Sequence, residues 1–141
     1  MPTIELDLLI ALVNREDRLH ETASKLFEAT ARGKIRNLVI ATSALIEYEL
    51  ILRSRGYSED DIAVDIRAFT NIKNVGEAPL NSKVILAAIV LRRKYRLTYF
   101  DSLHAATATL HDGEIVSTDE AYMGVKELRA IDPEEALRNL R

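Results

Sequence analysis

Short runs dense in Val, Ile and Leu alternate along the chain with longer stretches whose apolar positions recur at helical spacing. This is the pattern of repeated β-α units around a mainly parallel sheet. Thr3 to Leu6 predicts a first strand, and the apolar run continuing through Val13 predicts a short helix directly after it. Asp17 to Arg32 has helical spacing and stops at Gly33. Leu38-Val-Ile-Ala41 is the second predicted strand, and Thr42 or Ser43 is placed to cap a helix running through Arg55 to Gly56. Ser58 with Asp61 forms a capping pair for a helix to about Asn71, and Ile72 to Val75 predicts a third strand.

Leu80 to Tyr95 is strongly helical, and Leu97 to Phe100 leads into a helix from Asp101 to His111. Its alanines, Ala105, Ala106 and Ala108, allow close packing on a sheet, and Gly113 ends it. Glu114-Ile-Val-Ser117 predicts another strand, Asp119 opens a turn or short helix, and Leu128 to Ile131 predicts the last strand. Asp132-Pro133-Glu134-Glu135 supplies a cap, a proline at the first helical position and an acidic first turn, so a C-terminal helix follows.

At 141 residues and 48% hydrophobic, the chain is expected to form one domain with a core that needs no disulfide or structural metal. No cysteine is present, which excludes thiol catalysis and zinc ribbons and fits a reducing interior. There is no basic-then-apolar leader and no apolar run near the roughly 18 residues of a membrane span, so the expectation is a cytoplasmic protein without a membrane partner. The formal charge of −3 argues against a broad basic surface that coats nucleic acid. It leaves a nucleic-acid enzyme open, because an acidic site filled with divalent cations attracts phosphate. The basic clusters Arg92, Arg93, Lys94, Arg96 and Arg53, Arg55 read, each by itself, as cations that complement helix ends.

In an open parallel sheet, ligands bind beyond the carboxyl ends of the strands. Acids fall at such places here: Glu5 and Asp7 around the end of the first strand, Asp119 after the Val116-Ser117 strand end, and Asp101 at a helix start. Glu47 and Glu49 lie on the helix after the second strand. A cluster of hard oxygen donors suits metal-assisted phosphoryl transfer, in which bound Mg²⁺ or Mn²⁺ activates water and stabilises the leaving oxygen. Each acid also has a structural role open to it. Asp101 and Asp119 could be helix or turn caps, and Glu47 and Glu49, about 200° apart around a helix, cannot both face one site. Glu5 is harder to dismiss, since a buried carboxylate is costly unless paired or metal-bound. His104 and His111 read as structural or surface residues.

Taken together these segments resemble the PIN domain family, particularly its small VapC-like ribonuclease toxins. Tyr99-Phe-Asp-Ser-Leu-His-Ala-Ala-Thr-Ala108 is similar to the family's third acidic motif, and Ile115-Val-Ser-Thr-Asp-Glu-Ala-Tyr122 to its fourth. Thr42-Ser-Ala-Leu-Ile-Glu-Tyr-Glu-Leu50 resembles the segment carrying the second acid, and the ordered set spans nearly the whole chain. The first motif departs from the pattern: aligned on Leu9-Ile-Ala-Leu12, Glu5 stands where Asp is usual and Asp7 where Asn or Ser is usual. Three outcomes are open, in this order: Glu5 ligates, Asp7 takes over, or the site binds metal poorly. For the second acid, an apolar residue five positions on fits Glu47 with Leu52, whereas the spacing from Ser43 fits Glu49; Glu47 is the preferred of the two.

The resemblance implies a three-layer α/β/α fold and RNA cleavage by a metal-activated water. Asp101, Asp119, Glu47 or Glu49, and Glu5 or Asp7 would hold Mg²⁺ or Mn²⁺, with Ser117 or Thr118 orienting water or a carboxylate. Arg53 and Arg55 would bind the RNA backbone. A homodimer and a small antitoxin partner are implied as well. The competing expectations are a PIN-like module that binds RNA or protein with weak or no catalysis, and a phosphatase or other metal hydrolase on the same sheet.

Overall fold

The computed structural model describes residues 1–139. Its elements are β1 (Thr3–Ile4), α1 (Leu6–Val13), α2 (His20–Ala31), β2 (Leu38–Ala41), α3 (Thr42–Ser54), α4 (Glu59–Thr70), β3 (Val75–Ala78), α5 (Ser82–Tyr95), α6 (Tyr99–His111), β4 (Glu114–Val116), a 3₁₀ turn (Glu120–Gly124), β5 (Arg129–Ile131) and α7 (Pro133–Asn139). The five strands are all parallel, in the order β3-β2-β1-β4-β5. Chain order therefore reverses at β1, whose two neighbours are β2 and β4, and a crevice opens at the carboxyl ends of β1 and β4.

Helices cover both faces of the sheet, which explains why β2 is buried along its whole length and reads as a continuous apolar run. On one side Leu8, Leu9, Leu26, Tyr48, Phe69 and Ala136 pack with Ile4, Ile40 and Val116. On the other, Val84, Ala88 and Leu91 of α5 and Ala105, Ala106 and Ala108 of α6 pack with Ile115 and Tyr122. Ile115 and Val116 point to opposite cores, as successive strand residues must. The three-layer α/β/α arrangement expected from the sequence is the one found.

Several boundaries differ from the sequence reading, each for a local reason. The first strand ends at Ile4 instead of Leu6, because Glu5 is an extended N-cap whose side chain accepts from the Asp7 N–H at 3.4 Å and so starts α1 at Leu6. The second helix begins at His20 instead of Asp17, since the Asp17 carboxylate accepts from the Leu19 N–H at 2.8 Å and holds a turn there. The third strand is Val75–Ala78 instead of 72–75, displaced by Asn74, which has φ 65° and donates its side-chain amide to the Thr30 and Ala31 carbonyls. The last strand starts at Arg129 instead of Leu128, and the strand before it stops at Val116 instead of Ser117. The helix expected from Asp101 starts two residues earlier, at Tyr99, capped by Thr98, whose hydroxyl accepts from the Asp101 N–H at 3.3 Å. Asp101 is thus in the first turn and is not the cap.

Candidate active site

The site grows from the register of β1 on β4. Ile4 pairs with Val116, so Glu5 and Ser117 come next to each other as both strands end. The Ser117 hydroxyl donates to Glu5 Oε1 at 3.0 Å and also lies 3.3 Å from Asp7 Oδ2, while its oxygen accepts from the Asp119 N–H at 3.0 Å. Asp7 Oδ2 further accepts from the Thr118 N–H at 3.0 Å and the Thr118 hydroxyl at 2.9 Å. Ser117 and Thr118 thus hydrogen-bond the Glu5 and Asp7 carboxyl groups, and Ser117 also holds the backbone of Asp119. Asp119 Oδ1 caps the 3₁₀ turn by accepting from the Ala121 N–H at 2.9 Å.

Asp101 enters from α6 and meets Tyr122, which is fully buried and donates its hydroxyl to Asp101 Oδ1 at 3.2 Å. Burial, together with the negative field of Glu5, Asp101 and Asp119, raises the Tyr122 phenol far above its ordinary value, so it remains a hydrogen donor. Glu47 enters from α3, and its Oε1 lies 2.7 Å from Nε2 of His104, a ring with no exposed surface. Nδ1 of the same imidazole lies 2.7 Å from the Ser43 hydroxyl. Glu49 points elsewhere: it faces Arg53 at 3.6 Å on the outer side of α3, as the angular separation of the two glutamates requires.

Glu5, Asp7, Glu47, Asp101 and Asp119, with Thr118, line one open cleft of about 510 Å³, walled by Leu6, Ile10 and Leu19. Asp17 and Arg18 stand at its edge, and Arg18 is the only basic residue lining it among the described residues. Arg53 is not there; its guanidinium pairs with Glu59 at 2.7 Å as well as with Glu49. Arg55 lines a neighbouring hollow with Tyr57 and Asp65, which meets the cleft at Ile10. His111 lines a different hollow, with Asn81 and Leu110.

Glu5 is buried, and burial first, then the adjacent Asp7 carboxyl, raises its pKa well above the usual carboxylate range. Asp7 Oδ1 is buried without any hydrogen-bond partner. A crowded pair of carboxyl groups with an unpartnered oxygen suits a hard divalent cation, so the donor chemistry fits Mg²⁺ or Mn²⁺. The cage is not preformed: among the described residues no three Asp, Glu or His side chains stand close enough to share one ion.

Sequence reasoning missed three residues. His104, read from the sequence as structural or surface, is buried, and its place one helical turn after Asp101 on the same helix face is the signal for its bond to Glu47. Tyr122 closes the fourth-motif segment with no role of its own read from the sequence, and a tyrosine so near acids after a strand is the available signal. Arg18 carried no signal, because its approach to the cleft depends on the turn before α2.

The sheet and the cleft define a class: an α/β domain whose carboxylates gather at the switch point of a parallel sheet. Residues 7–128 match the family model for the PIN domain, and the chain belongs to the PIN domain family. No curated protein sequence matches it. Among solved structures it is similar to VapBC2 from Rickettsia felis bound to a DNA fragment from its promoter, with TM-score 0.70 and 12% identity over 92% of this chain and 96% of that one. A toxin-antitoxin complex from Klebsiella pneumoniae gives TM-score 0.65 and 18% identity over 94% and 98% of the two chains. FitAB bound to the IR36 DNA fragment gives 0.66 and 11% over 94% and 95%. At these identities the likeness speaks for the fold.

Proposed function

We propose that this PIN domain is a divalent-cation-dependent endoribonuclease and the toxin of a VapBC-type pair. The observation that carries the reading is the cleft itself, which is lined by acids from the end of β1, from α1, α3 and α6, and from the loop after β4. Nothing in the packing of a small domain calls for so many carboxylates around one cleft, since their mutual repulsion is unfavourable without a cation.

Glu5, Glu47, Asp101 and Asp119 would hold the ion, with Asp7 Oδ1 as a further donor. Bound Mg²⁺ or Mn²⁺ would supply a Lewis acid and an activated water for in-line attack on phosphorus. Ser117 and Thr118 keep the two acids of the first motif in place. Tyr122 donates to Asp101 and thereby fixes one of its oxygens. Arg18 is placed to bind a substrate phosphate at the cleft, and Arg55 to meet the backbone further along. The complexes with similar chains support an antitoxin partner, and a homodimer in the cytoplasm is part of the same proposal.

The departure at Glu5 and the open arrangement of the acids favour a second reading, a PIN module that binds RNA or protein without efficient cleavage. Incubating the chain with single-stranded RNA, DNA of the same sequence and a small phosphoester, each with Mg²⁺ or Mn²⁺, separates the readings. RNA cleavage alone is the expected result. Turnover of the phosphoester alone would make the protein a phosphatase, and RNA binding without cleavage would make it a binding module.

A further inference from the structure

We propose that His104 is a positioning residue that clamps the Glu47 carboxylate at the cleft, with Ser43 selecting the imidazole tautomer. The proposal rests on the reading above for what Glu47 does, and on geometry alone for how Glu47 is held. His104 Nε2 lies 2.7 Å from Glu47 Oε1, and Nδ1 lies 2.7 Å from Ser43 Oγ. Both His104 and Ser43 are fully buried, and the Phe100 ring stacks on the imidazole with centroids 6.1 Å apart and planes 29° apart.

The donor directions follow from valence. An ionised carboxylate only accepts, so Nε2 carries the hydrogen that reaches Glu47. In a neutral imidazole Nδ1 is then an acceptor, and the Ser43 hydroxyl donates to it. Every polar position of the ring is used, and the ring cannot flip without losing both bonds. Glu47, whose side chain is 21% exposed, would otherwise turn freely about its three side-chain bonds at the cleft. The clamp commits Oε1 and leaves Oε2 for an ion.

The arrangement also joins two acids through one helix. Asp101 and His104 are three residues apart on α6, so the element that presents one carboxylate holds the carboxylate that α3 presents. Through this bond a fully buried histidine acts on a side chain that lines the cleft. An outer partner that orients a ligand typically affects metal affinity about 10–100-fold.

The test uses the full chain. In ¹⁵N spectra of the histidine rings, His104 is expected to carry a proton on Nε2, with Ser43→Ala weakening that preference. In Mn²⁺ titrations followed by electron paramagnetic resonance, His104→Asn is expected to weaken binding by about 10–100-fold. His104→Gln, whose amide nitrogen falls near the place of Nε2, is expected to recover most of the loss. Ser43→Ala removes one oxygen only, so it keeps the test open if a His104 variant fails to fold. Unchanged Mn²⁺ affinity in the folded variants overturns the clamp and leaves the nuclease reading standing. If the wild type binds no Mn²⁺ or Mg²⁺ the nuclease reading falls, and the ring spectrum decides the clamp: protonation at Nδ1 in place of Nε2 overturns it.

Discussion

Glu5 and Asp7 meet at the end of β1, and their closeness is the feature by which the site differs most from an ordinary polar cleft. Asp7 Oδ2 is held by Ser117 and Thr118, while Oδ1 is buried without a partner. Burial and then Asp7 raise the Glu5 pKa, so the folded protein keeps a proton that the unfolded chain releases near the ordinary glutamate value of about 4.3. The stability from this group is complete below that unfolded value and is lost as pH rises through the raised folded-state value. In EDTA, Glu5→Gln is therefore expected to gain stability over the wild type as pH goes from about 4 to about 8, read from urea midpoints. A difference that does not change with pH would contradict the account. Adding Mn²⁺ should narrow the gap at the higher pH, because the cation stabilises the ionised wild-type pair.

At the scale of elements, α6 connects fold to site. Thr98 caps it through the Asp101 N–H, so one hydrogen bond both starts the helix and places the acid. Thr98→Ala is expected to lower stability by about 1 kcal/mol. It should also weaken Mn²⁺ binding, which thermal melts and titrations on the same variant would show. Loss of stability with unchanged affinity would mean that the cap does not position Asp101.

The order of elements was legible in the sequence because both cores repeat simple periods, such as the alanines of α6 and the apolar run of β2. Boundaries were less so wherever one side chain redirected the backbone. Glu5 ended β1, Asp17 delayed α2 and Asn74 moved β3 outward, and none of these turns leaves a mark on apolar periodicity. The acids were legible by position after strands. The spacing to Leu52 favoured Glu47 over Glu49, and Glu47 is the one that lines the cleft; its contact with His104 was not legible, since it depends on which face of α3 meets α6.

Across the whole molecule, the net charge of −3 and a cleft with one basic lining residue among the described residues imply few phosphate contacts. For single strands, the slope of log affinity against log salt is about −0.7 per phosphate neutralised, so a shallow dependence worth roughly one or two contacts is expected. Arg18→Ala should weaken RNA binding and make that slope shallower by about one contact, measured by fluorescence anisotropy in Ca²⁺. A slope unchanged by the substitution would place the RNA elsewhere.

The central claim, that carboxylates gathered at the β1/β4 switch point hold a cation for RNA cleavage, is tested most directly by single-turnover cleavage of a defined single-stranded RNA. The account predicts Mn²⁺- or Mg²⁺-dependent cleavage by the wild type, its abolition by EDTA, and a loss of at least about 100-fold in Asp101→Asn. Equal cleavage by wild type and Asp101→Asn, or none by either in the presence of both metals, would contradict it.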